Sequence, residues 1–154
     1  MPAYVIDPKR KDWAIDHLRR YLDTDGEDGY FVDFRAIGGP ELTPTLVLTT
    51  TGRRSGTPQT LPLIYGEAGK NYVIIASKGG APDHPAWYLN LVAQPHVTIQ
   101  IKGKRLQARA RTAQGAERAE LWIAMVAIYP LYTKYQARTA REIPLVVLEP
   151  VEPS

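Results

Sequence analysis

The run Tyr72-Val73-Ile74-Ile75-Ala76 constrains this chain more than any other feature of its sequence. Side chains of a strand alternate between its two faces, so an unbroken apolar run of this kind needs cover on both. The segments around it carry strand signals of their own. Leu46–Thr51 ends at Gly52, and Thr60–Gly66 leads into Asn71–Ser77 across Glu67-Ala68-Gly69-Lys70, a spacing that predicts a hairpin. Val97, Ile99 and Ile101 alternate with Thr98 and Gln100. Beyond Lys102-Gly103-Lys104, Leu106, Ala108 and Ala110 alternate with Arg105, Gln107 and Arg109, a second hairpin. Ile143–Glu149 is the last strand.

Helical patterns flank these strands. Lys11–Asp23 places Ile15, Leu18 and Leu22 on one stripe with Ala14 and Tyr21 beside it, while Trp13 lies off it. Pro85–Ala93 has proline where a first turn accepts it. Thr112 can cap a helix over Ala113–Ile128 with Trp122, Met125, Val126 and Tyr129 on its apolar side, and Pro130 should break or bend it. The expected fold is α+β, mainly β: a six-stranded, largely antiparallel barrel with flanking helices, since closure removes exposed strand edges. It reads as one domain, with a helix and connector over residues 1–40 and the barrel over 41–154.

With 154 residues, 44% of them hydrophobic, the chain can bury a core. The absence of cysteine excludes disulfides, thiolate metal sites and a cysteine nucleophile, and fits a cytoplasmic protein. A net charge of +3 is too small to imply nucleic-acid binding. His17, His84 and His96 are scattered without metal-ligand spacing, so no metal site is expected.

Four segments could carry chemistry. Gly52-Arg53-Arg54-Ser55-Gly56 follows a strand; its glycines permit unusual backbone angles that converge amides on an anion, and its arginines offer forks for phosphate or carboxylate. Taken alone its composition favours a polar turn with two solvated arginines. Ala76-Ser77-Lys78-Gly79-Gly80 ends the next strand and again pairs glycine with a cation. In Pro85-Ala86-Trp87-Tyr88-Leu89-Asn90, Trp87 can pack the helix onto the barrel, and Asn90, three residues on, can bond a ligand or a loop. Tyr129, Tyr132 and Tyr135 repeat at a helical interval and form either a substrate wall with hydroxyl tips or a packing edge.

Together, TTTGRRSGTPQTLPL, ASKGGAPDHPAWYLNLVAQP, YPLYTKYQ and IPLVVLEP resemble the deazaflavin (coenzyme F420)-dependent nitroreductase family over about Thr45–Pro150. The resemblance implies a split β-barrel and hydride transfer from reduced F420 to an electron-poor acceptor such as a quinone, activated enone or nitroaromatic. FMN on the same barrel, or a non-catalytic cofactor carrier, are the alternatives. It places Arg53, Arg54, Ser55 and Gly56 at the cofactor's phosphate and glutamate tail. Pro62, Ile64, Ala76, Ser77, Lys78, Gly79, Trp87 and Asn90 fall around the deazaflavin and its phosphate. Ser77, Tyr129, Tyr132 and Tyr135 fall on the acceptor side, where a hydroxyl orients or protonates the acceptor. Gln59 stands where related members often have a basic residue, and Ile64 where some have an aromatic. The N-terminal helix is expected to pack over the barrel, with peripheral contact with the inner face of the membrane as the alternative role, and monomer and homodimer are both open.

Overall fold

The computed structural model describes residues 3–151, and its longest ladders form around one nine-residue strand. That strand, β3 (Thr43–Thr51), follows β1 (Tyr4–Val5), α1 (Trp13–Thr24) and β2 (Phe31–Asp33). After it come β4 (Pro58–Ile64), β5 (Gly66–Ala68), β6 (Asn71–Ile75), α2 (Ala86–Ala93), β7 (His96–Ile101) and β8 (Lys104–Thr112). α3 (Gly115–Ile128), α4 (Leu131–Ala137) and β9 (Leu145–Pro150) complete the chain. The sheet runs β1-β2-β3-β7-β8-β9-β6-β5, with β4 paired to the other side of β3. Every pairing is antiparallel except β1 with β2.

Among the described residues nine strands therefore stand where six were expected; β1, β2 and β5 are two or three residues long, too short for a periodic signal. The predicted hairpin is also redrawn. Thr60–Gly66 breaks at Tyr65, so β4 pairs with β3 and only the three-residue β5 folds back on β6. Among the described residues no ladder joins β4 to β5 or β6, and the curled sheet keeps an open seam there.

The apolar run behaves as its composition requires. Val73 and Ile75 pack into one core with Leu145, Val147, Met125, Tyr129 and Tyr132, while Ile74 and Ala76 enter a second with Leu46, Leu48, Ile99 and Val146. Trp87 and Leu91 of α2 close the second core, each at most 7% exposed. Pro130 ends α3 and starts α4, as its ring dictates. Thr112 does not cap α3: it belongs to β8 and its hydroxyl meets Tyr88 Oη at 2.8 Å, leaving Gln114 as the capping residue.

The largest departure is in α1, whose apolar stripe faces out. Ile15 is 73% exposed, whereas Asp16, His17 and Tyr21 are buried. Each buried polar group finds a partner from another part of the chain. Tyr4 Oη donates to Asp16 at 2.8 Å, His17 Nε2 bonds the Gly29 carbonyl at 2.7 Å, and Tyr21 Oη donates to the Thr45 carbonyl and accepts from Lys102 N. Burying polar groups is tolerable once they are hydrogen-bonded, and no periodicity can announce partners so distant in sequence.

Candidate functional site

β4 and the end of β6 face each other across the open seam, and two cavities lie along it. The larger, about 620 Å³, is bounded by Gln59, Thr60 and Leu61 of β4, by Ser77–Gly79 after β6, and by Pro85, Ala86 and Trp87 where α2 begins. The smaller, about 270 Å³, is walled by Trp13 and His17 of α1, Phe34, Pro62 and Ile64, and by Tyr129, Tyr132 and Tyr135. Leu63, Ile75, Ser77 and Gly79 line both, so the two cavities meet at Ser77.

The basic turn is built on Asn90. This side chain is 1% exposed; its Oδ1 accepts from Arg53 N and Arg53 Nη1, both at 3.2 Å, and its Nδ2 donates to Thr50 Oγ1 at 3.2 Å and Gln59 Oε1 at 2.8 Å. Ser55 closes the turn with its hydroxyl, which bonds the Thr57 hydroxyl at 2.7 Å and accepts from Thr57 N at 3.2 Å. Gly56 takes φ +72° as expected, but Gly52 is needed for space: a Cβ there would lie 2.6 Å from Ser55 Oγ. Arg54 and Lys78 are exposed, and their side chains make no hydrogen bond or ion pair among the described residues.

On the other side of Ser77, the three phenols form one cluster. The rings of Tyr129 and Tyr132 lie 4.9 Å apart and Tyr135 is within 6.4 Å of both. Tyr129 and Tyr135 bond each other through their hydroxyls at 2.9 Å, and the Tyr132 hydroxyl has no partner among the described residues. Burial pushes the phenols of Tyr129 and Tyr132 well above the ordinary tyrosine range, with the bond to Tyr135 adding to the effect on Tyr129. Both stay protonated donors at any physiological pH. Burial also holds His17 below the usual imidazole range, so it is neutral at pH 7.

Most sequence-selected residues converge on the seam, with instructive exceptions. Pro62 and Ile64 line the smaller cavity, Ser77 joins the two, and Gln59, Lys78, Gly79 and Trp87 line the larger. Ala76 is fully buried in the core, Asn90 spends its side chain on the basic turn, and Arg53, Arg54, Ser55 and Gly56 of that turn line neither cavity. Trp13, His17 and Phe34 were not foreseen at the site, because the stripe read on α1 pointed its other face inward. Arg141 was missed as well: its guanidinium bonds main-chain carbonyls some 60 residues away, which leaves no local motif. Among the described residues no cluster of three or more His, Cys, Asp or Glu could hold a metal.

A largely antiparallel sheet whose open seam joins a cavity with a lysine on its wall to an aromatic one is an arrangement that suits a protein holding planar ligands. The comparisons narrow the class: the F420H(2)-dependent quinone reductase family matches residues 17–150, and the chain belongs to it. The chain is 42% identical over 135 residues to an F420H(2)-dependent quinone reductase of Mycobacterium tuberculosis strain H37Rv, covering 86% of each. Among solved structures, an F420-H2 dependent reductase, FDR-A, is 42% identical and superposes with a TM-score of 0.65 over 69% of this chain and 94% of its own. A 37% identical chain, solved as a domain-swapped dimer, superposes with a TM-score of 0.67 over 93% of this chain and 100% of its own. The Vibrio cholerae haem storage protein HutZ, 17% identical with a TM-score of 0.54 over 71% of this chain and 82% of its own, shares the fold alone.

Proposed function

We propose that this chain reduces quinones with electrons from reduced F420, holding the cofactor in the larger cavity and the acceptor in the smaller. The observation that carries this reading is the meeting of the two cavities at Ser77, which would let a donor in one and an acceptor in the other lie side by side. The residues fit an anionic, planar cofactor: about 620 Å³ of space with the exposed Lys78 on its wall, and the exposed Arg54 on the turn that leads into β4. Bound there, reduced F420 supplies a hydride.

The protein's own part is positioning and hydrogen bonding. In this reading Arg53, Arg54 and Lys78 hold the anionic end, and Ser55, Gly56 and Gln59 shape the turn that carries it. Trp87 walls the planar part. Ser77 and Tyr132 donate hydrogen bonds to the acceptor oxygen that gains charge. Tyr129 and Tyr135 hold Tyr132 in place, and the apolar walls from α1 admit a lipophilic ring. Reduction of a quinone to a hydroquinone also consumes protons, and the raised phenols keep the hydrogen bond to that oxygen in place while they arrive.

Fluorescence titration of the apo-protein with oxidised F420 and, separately, FMN tests the reading. Micromolar or tighter F420 binding with much weaker FMN binding is expected, followed by quinone-dependent oxidation of reduced F420. The reverse preference would move the function to flavin chemistry.

No helix among the described residues is long and apolar enough to cross a membrane. The reading includes a cytoplasmic location with peripheral membrane contact, supported by the outward Ile15 and Leu22 of α1 beside Arg19 and Arg20. Co-sedimentation with vesicles of anionic lipid is expected for the wild type and reduced in Ile15→Glu; equal recovery of the two would remove membrane contact from the reading.

A further inference from the structure

Behind the loop where the two cavities meet lies an arginine that none of the roles above uses. Arg141 Nε donates to the Ala81 carbonyl at 2.9 Å, Nη2 to the Ser77 carbonyl at 2.9 Å, and Nη1 to the Ala76 carbonyl at 3.2 Å. Nη1 also lies 3.2 Å from His84 Nδ1. The guanidinium is half-buried and, among the described residues, has no carboxylate within ion-pair distance. Its planar fork reaches several carbonyls at once, which a lysine ammonium on a single stem does less well.

What it grips has a particular shape. Ser77 is right-handed helical (φ −79°, ψ −40°) and Lys78, a non-glycine residue, sits at φ +46°. Such a right-then-left pair turns three successive N–H groups to one side, a concavity suited to anions and carbonyl oxygens. The amides of Ser77, Lys78 and Gly79 donate to no acceptor among the described residues, and all three residues line the larger cavity. In a trans peptide the N–H points opposite the C=O. Drawing the Ala76 and Ser77 carbonyls back onto Arg141 therefore turns the Ser77 and Lys78 amides away from it. A left-handed lysine persists only where its surroundings fix it. Gly80 holds the far side, since a Cβ there would lie 2.6 Å from the Tyr135 carbonyl.

We propose that Arg141 is the positioning residue that aims the Ser77–Gly79 amides into the cofactor cavity, with His84 as its fourth partner and the point at which protonation loosens the grip. The cofactor half of this statement rests on the function proposed above. His84 can accept from Arg141 only while Nδ1 is unprotonated. The groups facing it are the Arg141 guanidinium, the Asp83 carboxylate in its own loop and the Tyr88 ring of α2, 4.9 Å away. Burial and Arg141 hold the imidazole below its usual range, Asp83 opposing them, so the partnership is intact at pH 7 and fails as pH falls through the lowered midpoint.

The test compares Arg141→Gln, Arg141→Lys and His84→Gln with the wild type by F420 fluorescence titration, and by NMR of the amides of residues 77–79 and of the His84 ring in the protein without cofactor. Arg141→Gln is expected to weaken F420 binding at least tenfold, shift the three amides and raise the His84 midpoint toward that of an ordinary histidine. Arg141→Lys should recover part of the binding. Wild-type affinity should fall on acidification through the His84 midpoint, a fall that His84→Gln lacks. Unchanged F420 affinity with unmoved amides in both Arg141 variants would overturn the proposal. So would weakened binding with the amides and the His84 midpoint unmoved. If the wild type binds no F420, the function reading fails, while the amide and His84 shifts still decide the role of Arg141.

Discussion

Replacing Asn90 with alanine should weaken F420 binding at least tenfold and lower the melting temperature together. The side chain is buried, and it ties the backbone and guanidinium of Arg53, the Thr50 hydroxyl and the Gln59 amide into one knot. Arg53 and Gln59 are exposed and can turn to water when the knot is cut, whereas the buried Thr50 hydroxyl cannot. Leaving one buried group unsatisfied and opening a small cavity amounts to about 2–4 kcal/mol. For a domain of this size that is a fall in melting temperature of roughly 5–10 °C. Thermal denaturation and F420 titration of the same variant check both halves. A variant that melts lower but binds F420 with wild-type affinity would detach the basic turn from the cofactor.

Tyr132→Phe should behave in the opposite way. Its hydroxyl has no protein partner among the described residues, so removing it should leave stability unchanged or slightly raised. F420 affinity should also hold, because Tyr132 lines the smaller cavity and not the larger. What should fall is turnover, by about a hundredfold, the typical cost of losing one donor aimed at a developing oxyanion. Tyr129→Phe and Tyr135→Phe should cost less, since those hydroxyls already bond each other. The raised Tyr132 phenol adds a pH signature. It remains a donor well past the pH at which an ordinary tyrosine ionises, so alkaline loss of rate near pH 10 should not come from this residue. Stopped-flow quinone reduction at saturating cofactor measures the effect, and an unchanged rate would take the acceptor oxygen away from Tyr132.

How far the sequence could be read depended on where each residue's partners lie. Alternation along Val97–Ile99 and the unbroken run at Val73–Ala76 report burial directly, because the faces of a strand are fixed by its own geometry, whereas Gln100 is buried against the pattern with its amide bonded to Lys102 and Arg105. The loops at Arg53 and Lys78 were legible because glycine beside a cation is a local signal. Helix α1 departs from its pattern because His17 and Tyr21 are satisfied by Gly29, Thr45 and Lys102, far from its own turns, and Asp16 by Tyr4 as well as by Arg19 and Arg20 of the helix itself. The break at Tyr65 was hidden for a similar reason. That ring turns into the core and meets the Tyr30 hydroxyl at 2.6 Å, a contact across 35 residues. Arg141 is the extreme case, a side chain whose four partners are three carbonyls and a ring on a distant loop.

The open seam has a consequence for how the protein survives in a crowded cell. An unpaired strand edge is a template for another chain's backbone, and among the described residues β4 has a ladder partner on one side only, with α1 and β6 packed near its other side. Two prolines, Pro58 and Pro62, sit four residues apart on it and remove donors that an incoming strand would need. The stretch between them is bordered by Trp87 and the Ser77–Gly79 loop, and it is the stretch a bound cofactor would cover. Occupancy would then guard against aggregation as well as enable turnover, and the unloaded chain would be the form most exposed to sticking to its own copies.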